Sequence, residues 1–237
     1  MFKRAKYKKI LVLVLLSFTS LLWYTSSFSH FKLNANIRLY HVVHEDGQIR
    51  LLARMPLAYL IADKLGSIQE DGLPAPAPYS TNLLIDDILN HKLDAATLRE
   101  DPKGLGQFFA DGTIIKISDK KLKPVVGRVV AYPLSKQKPF STLVEAETSL
   151  SSEVYNSEYK ETFIGDTIID IELVYLTNKK IKKYTIQSLL NPRLPKQEET
   201  ANLIIDHTNK KPNIYRITGL LDKSVNITNS AIKAFST

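Results

Sequence analysis

Thr167, Ile169, Ile171, Leu173 and Tyr175 alternate with Ile168, Asp170, Glu172 and Val174. In an extended strand, alternate side chains point to opposite faces, so this run predicts a strand with one continuously apolar face and one face that carries charge. The same spacing lays no apolar stripe along a helix. A chain with such a segment must build a sheet around it. Three further runs follow, at residues 182–190 beyond the turn Asn178-Lys179, then 201–207 and 213–221 on either side of a polar turn at 208–212. Four successive strands joined by short polar turns predict an antiparallel meander or one half of a sandwich.

Upstream, residues 38–45 and 48–55 flank Asp46-Gly47, the dipeptide that favours a type I′ hairpin. In the second arm Ile49, Leu51 and Ala53 share one face and Arg50, Leu52 and Arg54 the other, and Pro56 ends the ladder because it brings no amide hydrogen. Strand character returns at 113–117, introduced by Asp111-Gly112, and at 125–134, where β-branched residues dominate. Helical spacing is sparser. Residues 57–65 predict a short helix or turn, and the proline-rich stretch 72–78 a rigid connector. Residues 81–87 are expected to cap a helix over 88–98, built on Ile88, Leu89, Leu93, Ala96 and Leu98. Leu143, Ala146 and Leu150 predict another within 140–159. The expected fold is mainly β, an antiparallel, immunoglobulin-like β-sandwich with one or two short inserted helices, plus an N-terminal apolar helix.

That apolar helix belongs to a leader. Lys3, Arg4, Lys6, Lys8 and Lys9 precede an apolar run from residue 10 to 24, with no acidic residue among them. Cations held on the cytoplasmic side of an apolar run mark an export signal or a membrane anchor. Fifteen helical residues span roughly 22 Å, short of the roughly 30 Å hydrocarbon core, which fits a signal peptide. Ser27 and Ser29 around Phe28 supply a small-x-small cleavage pattern, whereas Trp23 and Tyr24 sit where an interfacial belt would hold a retained anchor. Both outcomes stay open for residues 1–29, and inner-membrane association would run through residues 10–28. The exported domain is expected over 30–222 in the periplasm or another extracytoplasmic space, with a tail at 223–237.

The leader holds five of the 32 Lys and Arg and none of the 24 Asp and Glu, so the body carries only a slight positive excess, 27 against 24. The whole-chain pI of 9.4 is therefore a property of the leader, and the body gives no support for nucleic acid as a partner. Lysine runs at 120–123, 179–183 and 210–211 read as solvated loop charge, or as contacts to anionic headgroups. The chain has no cysteine, which excludes disulfides, thiolate nucleophiles and cysteine metal sites together.

His41, His44, Glu45 and Asp46 bring metal-ligand chemistry close together in sequence. Positions 41 and 44 differ by an odd number, however, so on a strand the two imidazoles face opposite sides and share no ion without a bulge. His207 follows Asp206 near a strand end and His91 falls on the expected helix, each read as a lone imidazole. His41, His44 and His207 are thus the weak candidate metal ligands. Adjacent Asp86 and Asp87 diverge and do not face one substrate. No Gly-x-Ser-x-Gly occurs, and Gly104-Leu105-Gly106 lacks the rest of a dinucleotide fingerprint and reads as a turn. No catalytic residue and no cofactor is assigned.

The stretch from Glu45 to Leu57, reading EDGQIRLLARMPL, resembles the start of the extracytoplasmic β domain of the bacterial HupE/UreJ-like membrane proteins, related to hydrogenase and urease accessory proteins. The order of later runs, from Phe140 through Leu173-Val174-Tyr175 to Leu220-Leu221, is similar as well. In that family the β domain precedes a multi-helix membrane domain with a histidine signature linked to metal transport. None of that signature occurs here, so no metal-transport residue carries over, and the resemblance implies a truncated or free-standing outer domain. The expected function is a non-enzymatic binding or interaction module of the cell envelope with an integral membrane protein as partner. The alternatives are an exported hydrolase using loop carboxylates and a metal-binding accessory protein.

Overall fold

The computed structural model describes residues 37–160, 162–178, 181 and 183–228. The leader expected at 1–29 lies outside them. Strands β1 (Ile37–Glu45) and β2 (Gln48–Pro56) form the expected hairpin, with Glu45 opposite Gln48. Its turn is of another type. Of the two central residues only Gly47 has a positive φ, at 79°, whereas type I′ needs both. After β2 comes α1 (Ala58–Ile61), continued as a 3-10 turn over Ala62–Lys64.

The helix expected over 88–98 is corrected to a hairpin and a short helix: β3 (Ser80–Ile85), β4 (Ile88–Leu93) and α2 (Ala95–Glu100). Asp86 and Asp87 form the two-residue turn between the strands, with φ of 51° and 61°. Aspartate tolerates that left-handed region, so this pair makes the I′-like turn that Asp46-Gly47 does not. Leu89, His91 and Leu93 are buried at alternate positions, so His91 lies on a strand. Helix α3 (Pro102–Gly112) follows, capped by Asp101 with Pro102 in its first turn. It contains Gly104-Leu105-Gly106, which the sequence had read as a turn, and ends on Asp111-Gly112, which introduces β5.

The remaining elements are β5 (Thr113–Ile117), β6 (Lys120–Lys121), β7 (Pro124–Pro133), α4 (Leu143–Leu150), β8 (Thr167–Leu176), β9 (Lys183–Ser188), β10 (Ala201–Asp206), β11 (Asn213–Thr218) and β12 (Val225–Thr228). Helix α4 opens on a capping box in which Thr142 and Glu145 satisfy each other's backbone amides. Strand β12 lies within the residues expected to be a tail.

The fold is mainly β, with few short helices. One sheet has six strands in the order β11-β10-β1-β2-β8-β7, a second has four in the order β12-β9-β5-β6, and β3-β4 is a separate pair. The meander expected from the last third is corrected. Strand β9 leaves β8 and pairs with β5 and β12 in the second sheet. Strand β10 pairs in parallel with β1, so the large sheet is mixed rather than wholly antiparallel. Short polar turns reveal where a chain reverses, but the pairing partner is chosen by the apolar faces that can meet.

The main core lies on one face of the large sheet. Tyr40 and Val42 of β1, Leu51 and Met55 of β2, and Ile171 and Leu173 of β8 pack there with Leu105 and Phe109 of α3 and with Ile115 and Ile186 of the second sheet. The opposite face of the large sheet is covered by α4, through Leu52, Phe140, Ala146 and Leu150. Strand β8 is therefore buried on both faces, and the charges expected on its second face, Asp170 and Glu172, are 0% and 6% exposed. The helix that covers them must supply partners, because a buried charge without one costs several kcal/mol.

Candidate functional site

Beneath α4, Arg54 of β2 and Asp170 of β8 are opposed in the strand register. Arg54 Nε donates to Asp170 Oδ1 at 2.7 Å and Nη2 to Oδ2 at 2.8 Å, the two-pronged geometry that suits a guanidinium and a carboxylate. Asp170 also accepts from Ser149 Oγ of α4 at 2.7 Å and from the Tyr132 hydroxyl of β7. The Arg54 guanidinium stacks over Phe140, 4.3 Å from the ring centre, and donates to the Lys138 carbonyl. Burial pushes the Tyr132 hydroxyl well above its ordinary pKa, and the neighbouring Asp170 charge adds to the rise.

A second cluster adjoins it. Glu172 accepts from Arg50 Nε at 2.7 Å and from Arg128 Nε at 2.7 Å, while Glu147 of α4 binds both arginines. Burial alone would raise the Glu172 pKa, but hydrogen bonds from Arg128 and Arg50 outweigh it and bring the carboxyl down to about 2. Gly127 makes this possible at the bulge in β7, between Val126 and Val129. A Cβ there would stand 2.8 Å from Glu172 Oε2. Both clusters are built from groups of the protein itself, and they tie α4 and the strap 134–142 to the sheet.

The strap forms one wall of an open cleft of about 720 Å³. Residues 133–136 line it together with Glu158, Tyr159, Lys160, Thr162, Phe163 and Asp166. Leu134 and Tyr159 pack onto the buried cluster Val130, Tyr132 and Ile168. Tyr132 thus joins the two features: its hydroxyl is bound to Asp170 and Ser149, and its ring supports the side chains that line the cleft. Tyr159 is further fixed edge-on by Tyr155, at 5.4 Å between ring centres. Phe163 is 36% exposed. Apolar and aromatic walls with two lysines and two carboxylates make a recognition surface for a ligand with both apolar and charged parts.

The three candidate metal ligands separate as strand geometry requires, with one addition. His41 lies under Phe140, on the α4 side of the sheet, and His44 on the core side against Tyr184. His207 is not a lone imidazole. The parallel pairing of β10 with β1 brings its Nε2 to 2.9 Å from His41 Nδ1. His41 Nε2 donates to the Phe140 carbonyl at 2.9 Å, so in the neutral pair His41 Nδ1 accepts the proton of His207. Burial lowers the pKa of both rings. His44 Nε2 reaches Asp206 Oδ1 at 2.9 Å, where Tyr184 and Thr208 also donate. Among the described residues no three His, Asp or Glu side chains converge on a point that would hold a metal ion. His91 bonds Asn82 at 3.0 Å.

No family model matches the chain, and no curated protein matches it. The cleft itself was missed by sequence reasoning. Its residues come from two loops some twenty positions apart, and the only visible signal was the placing of Tyr159 and Phe163 among lysines in segments without regular structure.

Proposed function

We propose that this domain is a non-catalytic binding module of the bacterial cell envelope, and that the cleft between the strap and residues 158–166 receives a segment of an integral membrane protein. The observation that carries this reading is the link through Tyr132. The ionic clusters are made of the protein's own groups, and they fix the support on which the cleft side chains rest. Preorganisation of that kind favours recognition, because little side-chain freedom is lost on binding.

The leader supports delivery to the periplasm or an equivalent compartment, with the inner membrane nearby. The resemblance of residues 45–57 to the HupE/UreJ-like outer domain supports a membrane protein as partner. Two sheets that share one core support the finer reading of an immunoglobulin-like sandwich, with β10 alongside β1 in parallel as its departure from a simple antiparallel form. Among the described residues no helix is long and apolar enough to cross a membrane.

The test is site-specific photocrosslinking in cells, with the probe at Tyr159 or Phe163 in the cleft and at exposed Val144 on α4 as control. Both cleft positions are expected to yield one membrane-protein adduct that the control does not. Identical products from all three positions, or none from the cleft, would refute the proposal. The hydrolase alternative rests on Glu158 and Asp166, which also line the cleft. It would be favoured if Glu158→Gln and Asp166→Asn each abolished a measured hydrolysis while leaving the adduct intact.

A further inference from the structure

The hairpin β3–β4 ends in an apolar tip that the protein itself does not cover. Leu84, Ile85 and Ile88 are 52%, 40% and 55% exposed, three large aliphatic side chains within five residues. Among the described residues no other stretch of that length exposes more than one large apolar side chain. Single ones need no explanation, whereas a cluster at the end of a hairpin marks a contact surface. Ile85 and Ile88 are opposed across the strands, so their pairing covers the inner sides and leaves the outer sides wet. Leu84 lies opposite Leu89 on the other face, and Leu89 is buried while Leu84 is not.

Below the tip the hairpin is fixed. His91 bonds Asn82 across the pair at 3.0 Å, Asn82 Nδ2 donates to the Pro74 carbonyl at 2.7 Å, and Leu89 and Leu93 are buried. At the base the Leu93 amide donates to the Thr162 carbonyl at 2.9 Å, and Lys92 forms an antiparallel bridge with Phe163. Thr162 and Phe163 line the cleft. The hairpin therefore grows out of the cleft wall, and at about 3.3 Å per residue Ile88 stands roughly 13 Å along the strand from Lys92. One partner seated in the cleft has the tip within reach.

Charge decides among the possible occupants. The turn between the apolar side chains is Asp86-Asp87, both exposed, and neither joins an ion pair among the described residues. Two carboxylates at the tip oppose a bilayer with anionic headgroups, and residues 84–88 hold no Trp, Tyr or cation to settle at its interface. Two copies meeting tip to tip about a two-fold axis would bring four carboxylates together. An apolar socket rimmed by Lys or Arg suits both the aliphatic side chains and the charge. We propose that β3–β4 is a docking finger whose Leu84, Ile85 and Ile88 enter such a socket on the integral membrane protein that fills the cleft. The identity of the partner rests on the cleft reading, whereas the chemistry of the socket rests on the finger alone.

Photocrosslinking of the full chain in cells, with the probe at Ile88 in one sample and at Phe163 in another, tests the finger apart from the cleft. The Ile88 probe is expected to capture the same membrane protein as the Phe163 probe. Asp86→Asn combined with Asp87→Asn removes the charge and keeps the left-handed turn, which asparagine also tolerates, and should lower the Ile88 adduct yield about three- to tenfold. Ile85→Ser should lower it about tenfold. Both variants should melt within about 2 °C of the parent, because the altered side chains are exposed. An adduct from Phe163 with none from Ile88 would overturn the finger and leave the cleft reading standing. An adduct from Ile88 alone, weakened by the two Asn substitutions, would refute the cleft and keep the finger. An Ile88 adduct with a second copy of the chain or with lipid, or a yield unchanged by the Asn substitutions, would overturn the proposal.

Discussion

Removal of either member of the Arg54–Asp170 pair tests how the sheet and α4 are joined. Asp170 is fully buried and the Arg54 side chain is 8% exposed, so solvent does not replace a lost partner. In Asp170→Leu the guanidinium keeps the Lys138 carbonyl and the Tyr132 hydroxyl but loses the carboxylate it pairs with. In Arg54→Met the Asp170 carboxylate keeps the hydroxyls of Tyr132 and Ser149 but no cation. Each single change should cost about 3–5 kcal/mol, the usual consequence of stranding one buried charge. The double variant should cost far less than the two together, about 1–2 kcal/mol. It removes both charges, and Tyr132 and Ser149 still bond each other at 2.9 Å. Urea unfolding followed by far-UV circular dichroism measures all three. Tryptophan fluorescence does not serve, because the single tryptophan, Trp23, lies in the leader. At about 2–4 °C per kcal/mol, each single variant should melt roughly 6–20 °C lower. Additive losses, or single losses below about 0.5 kcal/mol, would refute the view that this pair acts as one neutral unit.

Acid should weaken the domain in two windows. The Glu172 pKa falls from 4.5 to about 2 on folding, so its stabilisation is complete above 4.5 and is lost as pH drops toward 2, about 3 kcal/mol at most. His41 is depressed by burial, so its neutral form contributes fully above its ordinary value of 6.5 and stability declines as pH falls below that value. A pH series of urea midpoints should show both declines, and Glu172→Gln should flatten the lower one. Gly127→Ala should cost about 1–3 kcal/mol, because the new methyl would press on the Glu172 carboxylate at the β7 bulge. A neutral Gly127→Ala in the same unfolding assay would show that the bulge has room to relax.

The alternation over 167–175 placed β8 correctly, but it read only one face as buried. Periodicity reports which residues are apolar, and a carboxylate that finds an arginine on the neighbouring strand is as buried as an isoleucine. Arg54 stood opposite Asp170, and Arg50 diagonal to Glu172, only once the β2–β8 register was known, since Leu52 pairs with Glu172 and Arg54 with Asp170 across strands more than a hundred residues apart. The histidine argument from strand parity held for His41 and His44 because it needed only local geometry. It missed His207 because a parallel partner strand comes from the far end of the chain. The helix expected over 88–98 failed for a local reason. Leu89 and Leu93 satisfy period two as well as period four, and the Asp86-Asp87 turn decides between them.

The arginines of the large sheet face two environments, and the contrast bears on what the domain does. Arg54, Arg50 and Arg128 lie on the α4 side, where carboxylates of β8 and α4 neutralise them and the resulting rigidity passes through Tyr132 to the cleft. Arg38 lies on the core side, where the buried carboxylate of Asp206 binds His44, Tyr184 and Thr208 instead. Arg38 is enclosed at the junction of β1 and β10, opposite Asn202 in the parallel register, and donates to the Gly219 carbonyl. The same pairing brings His207 against His41 on the opposite face, under the strap that walls the cleft. Loosening of the β1–β10 contact would therefore reach the strap through His41 and the Phe140 carbonyl. Arg38→Met should then lower the yield of the Phe163 adduct as well as the melting temperature, whereas a cleft independent of that pairing would lose only the melting temperature.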